Sequence, residues 1–412
     1  MPKPFEVLPW VVFAAGCLGT ASGPLPSEDE PSTPSPAIET GPAPIDDTGS
    51  GTAIEDASST DPAVDGAAPP EDAAADAPAA ETSTPPPGTI PVFVAQGHMG
   101  RTILSCDRGA TWVGNRSDDD ALRCFSPTDC DHNGGRAMGI AFGDGWYVAT
   151  WGWGQGNSVR RSEDGFGWER VLDKTVFSGV EFAGRKFAAI SGQPRVSSDD
   201  GKTWQAVPSI GFKGHIRATG SVDFGGGRFV AAGSENGSST GEVMISSDGT
   251  SWKRPAQIDP ACALAVGWNS IAHGGGVFVI VSENGKVCRS EDGGERFTTH
   301  ETGGKVDATL HDGTQFVAYG AGNAYRSKDG KSWTTTKLTL EGGGSPSFGA
   351  AAHGAGRYVA VNGGWQVWYE KQVFYASDDG IAWKKLPPGA FVGSHPITQI
   401  AFGNVKKPSI CK

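Results

Sequence analysis

Lysine, arginine and every aromatic residue are missing from residues 18–90, a stretch that nevertheless holds 14 carboxylates among Ala, Pro, Ser, Thr and Gly. So polar a segment cannot bury enough apolar surface to offset the entropy of ordering it, so residues 18–90 are expected to be a disordered linker. The formal charge of −12 is then a property of the linker, because Lys3 and Glu6 cancel and residues 91–412 are left close to +2. A nearly neutral folded part argues against electrostatic binding of nucleic acid. Long apolar runs are scarce too. The one near the start, Val7–Gly16, is too short to span a bilayer. No HExxH, GxSxG or P-loop occurs, which removes the commonest short signatures of zinc proteases, serine hydrolases and nucleotide-binding enzymes.

What the first 17 residues do contain is Lys3, a short apolar core, and Ala14-Ala15-Gly16-Cys17. This resembles the lipobox of bacterial lipoproteins, in which the cysteine is acylated and becomes the new N-terminus, although Ala14 stands where leucine is usual. Residues 1–17 are therefore expected to be an export signal ending at a lipidated Cys17, with ordinary signal cleavage as the alternative. A flexible spacer directly after an anchor is what a tethered module needs. Leu18, rather than Asp, after the cysteine points to the outer membrane in a Gram-negative host.

Residues 91–412 repeat. SCDRGATW from Ser105, SSDDGKTW from Ser197 and SEDGGERF from Ser290 are full-length copies of one pattern; SEDGFGW from Ser162, SSDGTSW from Ser246, SKDGKSW from Ser327 and SDDGIAW from Ser377 are one residue shorter. Before each copy comes a strand, in most units preceded by another strand and a Gly-rich turn, as in IAFGDGWYVAT from Ile140 and VDFGGGRFVAA from Val222. Alternating apolar residues broken by glycine read as tight antiparallel hairpins. The unit is four short strands, and seven units share the segment at about 46 residues each. The first unit, from Pro91, lacks its first strand, and ITQIAFGN from Ile397 supplies one at the other end. The expected fold is an all-β, seven-bladed propeller of four-stranded antiparallel blades over residues 91–412, closed by the C-terminal strand so that no sheet edge faces the gap.

The recurring segment resembles the Asp-box repeat, S-x-D-(x)-G-x-x-W, of sialidases, sortilin-type receptors, some glucan hydrolases and the photosystem II assembly factor family. In those families the box is a fold element away from the active site, so the resemblance implies that all seven copies here are structural. A sialidase would use six blades, three arginines for the substrate carboxylate, a Tyr nucleophile backed by Glu, and an Asp acid/base. Arg101, Arg136 and Arg217 sit at the ends of repeat elements on one face, and Tyr369-Glu370 lies in a loop, but the opening F-R-I-P motif is absent. His273, His311 and His353 occupy one equivalent position in three repeats and are repeat features before they are catalysts. A non-catalytic module is therefore favoured, with a secreted glycoside hydrolase of sialidase or glucanase type as the alternative.

In a propeller the box turns and Gly-rich turns share one face, and the long insertions fall on the other. One of these, Asn115–Arg136, contains Asp129-Cys130-Asp131-His132-Asn133-Gly134, the opening spacing of a calcium loop, with Asp129, Asp131 and Asn133 as candidate ligands. Ile140 stands where the closing Glu belongs, and the alternative is a solvated acidic loop. Trp151, Trp153, Trp365, Trp368 and Tyr369 lie in or beside insertions and, with Arg136 and Arg217, are candidate contacts for a glycan or protein ligand; the alternative is loops packing on one another. Without Cys17 six cysteines remain, an even number that suits three disulfides in an exported chain. Cys106 lies in the first box and Cys411 follows the closing strand, so Cys106–Cys411 is expected, leaving Cys262–Cys288 and Cys124–Cys130. The expectation as a whole is a lipid-anchored, monomeric surface protein with no required cofactor beyond a structural calcium, which recognises a glycan or protein partner and touches membrane only through its anchor.

Overall fold

The computed structural model describes residues 85–116, 136–152, 157–191, 193–208, 222–234, 241–263, 268–362, 372–387 and 396–412. The expected linker and export signal therefore lie outside the described residues, apart from residues 85–90, of which Thr89 and Ile90 belong to the first strand.

Seven antiparallel sheets follow one another along the chain. Their innermost strands are Ile397–Lys406 for blade 1, then Arg136–Gly143, Gly179–Ala183, Val222–Gly225, Trp268–Gly274, Ala308–His311 and Ala350–Gly354 for blades 2 to 7. Each touches the next and the seventh touches the first, so the ring is closed. Closure is made as the repeat count requires. Ile397–Lys406 pairs with Thr89–Gly97 over a register running from Thr89 opposite Lys406 to Gly97 opposite Ile397. Cys106 and Cys411, 305 residues apart in sequence, form a disulfide in the same blade. A second disulfide joins Cys262 to Cys288. Cys124 and Cys130 lie outside the described residues.

The second strand of each blade is sandwiched between two neighbouring blades, so both of its faces are apolar. Val92, Phe93, Val94 and Ala95 are all fully buried, as are Val279, Ile280 and Val281. Val92 and Val94 pack towards Tyr147 of blade 2, while Phe93 and Ala95 pack towards Val359 and Phe374 of blade 7. Two blades depart from four strands by addition. Gln257–Ile258 lies parallel to the outermost strand of blade 5, Arg296–Glu301, and Thr339–Leu340 lies parallel to that of blade 7, Ala382–Lys385. Both added strands come from the chain entering that blade, and they cover an edge that is otherwise open. Blade 4 departs the other way: its fourth strand is reduced to a single bridge between Ile245 and Lys253.

All seven Ser-x-Asp turns share one hydrogen-bond scheme. The Ser hydroxyl donates to the Asp Oδ1 at 2.7 to 3.1 Å. The Asp carboxylate in turn accepts backbone N–H groups, such as that of Thr203 at Asp199. Burial opposes ionisation of Asp199, but the amides and hydroxyls around it outweigh burial and hold its carboxyl down at about 2. The turn glycine closes the scheme with a positive φ. At Gly165 (φ +76°) a Cβ would stand 2.5 Å from Val94 of the preceding blade, so only glycine lets the turn close against its neighbour. In blades 2, 3, 4 and 6 the Trp Nε1 donates back to this glycine's carbonyl at 2.8 to 3.1 Å.

Three of these turns are also held from the preceding blade. Arg161, Arg289 and Arg326 each stand one residue before the Ser of their own turn. They donate to the carbonyl oxygens of Asp200, Asp329 and Asp379 in the turn of the next blade.

Candidate functional site

Most of the residues marked out in the sequence as ligand contacts or calcium ligands lie outside the described residues: Trp153, Arg217, Trp365, Trp368, Tyr369, Asp129, Asp131 and Asn133, together with Cys17. Two are placed. Trp151, near the end of the second strand of blade 2, is fully buried. Its ring meets that of Trp168 edge-on at 5.8 Å and carries the Arg160 guanidinium at 4.7 Å. The ring packs with Ala137, Ala149 and Ile140 of its own blade. Arg136 begins the innermost strand of blade 2, and burial lowers its pKa. Among the described residues no three His, Cys, Asp or Glu side chains are grouped to hold a metal ion.

What the structure does bring together lies at the opposite mouth of the central channel, where the Gly-rich turns are. One equivalent position on the innermost strands is held by Phe402, Phe142, Phe182, Phe224, His273, His311 and His353, in blades 1 to 7; in blades 2 to 7 the Gly-rich turn follows it, and in blade 1 the strand runs on to Lys406. Every one of these rings pairs with an aromatic ring on the second strand of its own blade. The centroid distances run from 4.5 Å for His273–Phe278 to 5.0 Å for Phe402–Phe93. Five of the rings also have a glycine seat on the preceding blade. Gly143 lies under Phe182, Gly225 under His273, Gly274 under His311, Gly354 under Phe402 and Gly403 under Phe142, each so close that a Cβ would fall 1.9 to 2.4 Å from the ring. The equivalent positions in blades 3 and 6 hold Ala183 and Asp312. Asp312 makes a different link, accepting the Tyr358 hydroxyl of blade 7 at 2.6 Å. All seven rings are half-buried, so each seals an interblade seam while leaving part of its surface open.

Two carboxylates stand beside this ring. The residue before each aromatic position is Ala or Leu in five blades, but Glu181 in blade 3 and Asp223 in blade 4. Asp223 accepts the backbone N–H of Phe224 at 2.7 Å and, across the seam, that of His273 at 2.7 Å. Glu181 accepts that of Phe182 at 2.9 Å. Burial pushes the Glu181 carboxyl well above its ordinary value, and the charge of Asp223 pushes it further. Burial also raises Asp223, to about 7, against the pull of its two amide donors. The imidazoles move the other way. Burial and the neighbouring His311 bring His273 down to about 4, and burial lowers His311 and His353 although Asp312 opposes it. At neutral pH the histidines are therefore uncharged. The repeat pattern carries a signal for Glu181 and Asp223, a charge at a position that is otherwise apolar; it becomes visible only when the innermost strands are aligned residue by residue.

On the outer rim of blade 7 the added strand helps to wall a cavity of about 370 Å³, bounded by Leu340, Arg357, Trp383 and Lys384. Its ion pairs, Arg357–Asp378 at 3.5 Å and Lys384–Glu341 at 3.4 Å, cancel one another.

No protein-family model and no curated protein matches the chain. Among solved structures it is similar to one described as YCF48 bound to D1 peptide, at 16% identity and a TM-score of 0.46, covering 67% of this chain and 92% of that one. It is likewise similar to apo AztD from Citrobacter koseri, at 9% identity and a TM-score of 0.46, covering 77% and 98%. A nidogen/laminin complex is a third, at 14% identity and a TM-score of 0.39, covering 61% and 94%.

Proposed function

We propose that this chain is an exported protein, anchored by a lipid on Cys17, whose propeller recognises a glycan or protein partner without catalysing a reaction on it. The observation that carries this reading is the engagement of the channel carboxylates. Asp223 gives both of its oxygens, and Glu181 one, to strand amides, so the pair acts as a brace for the innermost strands. An acid and a base that turn over a substrate must exchange protons with it. The reading assigns recognition to the insertions whose sequences carry Trp153, Trp365, Trp368 and Tyr369 as flat rings, with Arg136 and Arg217 as the charged contacts. The Asp129–Asn133 loop on that face is the place for a structural calcium.

The raised carboxylates are also what favours the second reading, a glycoside hydrolase, since such enzymes keep one carboxyl protonated near neutral pH. The full-length chain on glycan and peptide arrays, run beside a panel of glycosidase substrates, separates the two. Saturable binding that is weakened by Trp368→Ala, with no turnover, is the expected result. Turnover that disappears in Glu181→Gln or Asp223→Asn would overturn the proposal.

A further inference from the structure

The seven rings at the channel mouth are equivalent in position but not in chemistry, because the three histidines are consecutive. His273, His311 and His353 belong to blades 5, 6 and 7, and the four phenylalanines occupy blades 1 to 4. Each ring seals the seam between its own blade and the one before. The seams between blades 4 and 5, 5 and 6, and 6 and 7 are therefore closed by imidazole, and the other four by phenyl.

We infer that this run of histidines makes one side of the propeller acid-releasable: on acidification the three imidazole-sealed seams open, while the phenylalanine-sealed seams stay shut. The geometry leaves a charged imidazole poorly provided for. Neither ring nitrogen of His273 has a hydrogen-bond partner, and its ring is enclosed by Phe278 of its own blade and the backbone at Gly225. His311 packs between Phe316 and the backbone at Gly274, and its Nδ1 accepts the Gly313 N–H at 3.2 Å. His353 packs against Tyr358. The ionisable groups facing the run are few. Asp223 touches the backbone of His273, and Glu181 lies one blade further on. His311 faces both of the other histidines, as like charge once protonated. Asp312 lies beside His311 and His353, where burial opposes its ionisation but the hydroxyls of Tyr358 and Thr314 and the amides of Thr314 and Gln315 hold it down at about 2, so it keeps its charge as pH falls. As pH falls from 7 towards 4, Asp223 takes up its proton before His273 does, so it offers that imidazole no counter-charge.

The two kinds of group carry opposite linkage. For His273 the folded value, about 4, lies below the ordinary 6.5, so the unfolded chain binds the proton more tightly. Its contribution is complete above pH 6.5 and is lost as pH falls through about 4. For Asp223 the folded value, about 7, lies above the ordinary 3.8. Its protonation favours the folded chain, a contribution complete below pH 3.8 and lost as pH rises through about 7. Acid release therefore comes from the histidines and against Asp223.

Hydrogen–deuterium exchange of the full chain at pH 7.5 and pH 4.5, corrected for intrinsic exchange rates, tests this strand by strand. Opening of Trp268–Gly274, Ala308–His311 and Ala350–Gly354 should rise at least about tenfold more than that of Arg136–Gly143, Gly179–Ala183 and Ile397–Lys406. Replacing all three histidines by phenylalanine, the residue the other blades use, should erase the difference, and Asp223→Asn should enlarge it. If the triple variant does not fold, His311→Phe alone should reduce the difference in the two strands whose seams it borders, Trp268–Gly274 and Ala308–His311. Equal acceleration in all seven innermost strands overturns the inference. So does a difference that survives His→Phe replacement.

Discussion

Arg161, Arg289 and Arg326 show how much a single side chain can do in a repeated fold. The same position in blades 1, 3, 4 and 7 holds Leu104, Val196, Ile245 and Ala376, which only pack. Where arginine stands there, a guanidinium spans the seam on the rim side and donates to a backbone oxygen in the next blade's turn. Arg161 and Arg289 are also paired with Glu169 at 3.0 Å and Glu291 at 2.7 Å. Hydrogen bonds from charged donors contribute about 1.5–3 kcal/mol where they are shielded from water. Arg326→Met keeps the stem and removes the donor. Because this bond is exposed to solvent, the change is expected to lower unfolding stability by about 0.5–1 kcal/mol in urea titrations. An unchanged midpoint would show that the latch is replaced by water without cost.

At the scale of elements, the architecture was legible because it is written seven times. A Ser-x-Asp turn recurs in all seven units and a Gly-rich turn in six, always in the same order, and the half-unit at Ile397 finds its complement at Thr89. The two additions and one omission were not legible. Gln257–Ile258 and Thr339–Leu340 are two-residue strands inside connecting segments, too short for a period-two pattern to register. The outer strand of blade 4 keeps its Trp252 but pairs only through Lys253. The candidate site divides in the same way. Trp151 reads from sequence as a ring beside a loop, and only the fold shows that Trp168 and Arg160 enclose it. The clasp was readable, since its two cysteines flank the strands that close the ring. Cys106→Ser or Cys411→Ser should cost about 2–5 kcal/mol, more than loss of Cys262–Cys288, because the loop each bond closes is 305 residues against 26. Thermal unfolding with and without reductant measures both. Equal losses would mean that native-state packing, and not loop length, sets the value.

For the whole molecule, the clasp and the first described strand both belong to blade 1. Thr89–Gly97 begins two residues inside the segment expected to be linker and carries the closing strand along its length. If Cys17 is acylated, the full-length protein partitions into detergent and Cys17→Ser moves it to the aqueous phase. A wild-type protein found wholly in the aqueous phase removes the anchor from the proposal. Closure by a late strand also sets a schedule. Thr89–Gly97 is made early, yet the strand that covers its inner edge follows some 300 residues later, as the 305-residue span between Cys106 and Cys411 records. At ribosomal rates of roughly 5–20 residues per second that is a wait of about 15–60 seconds. Throughout it Val92 to Ala95, fully buried in the finished ring, have an unpaired strand edge beside them. A chain so arranged depends on whatever shields it during that interval, and a slowed or stalled passage should leave aggregates nucleated on blade 1.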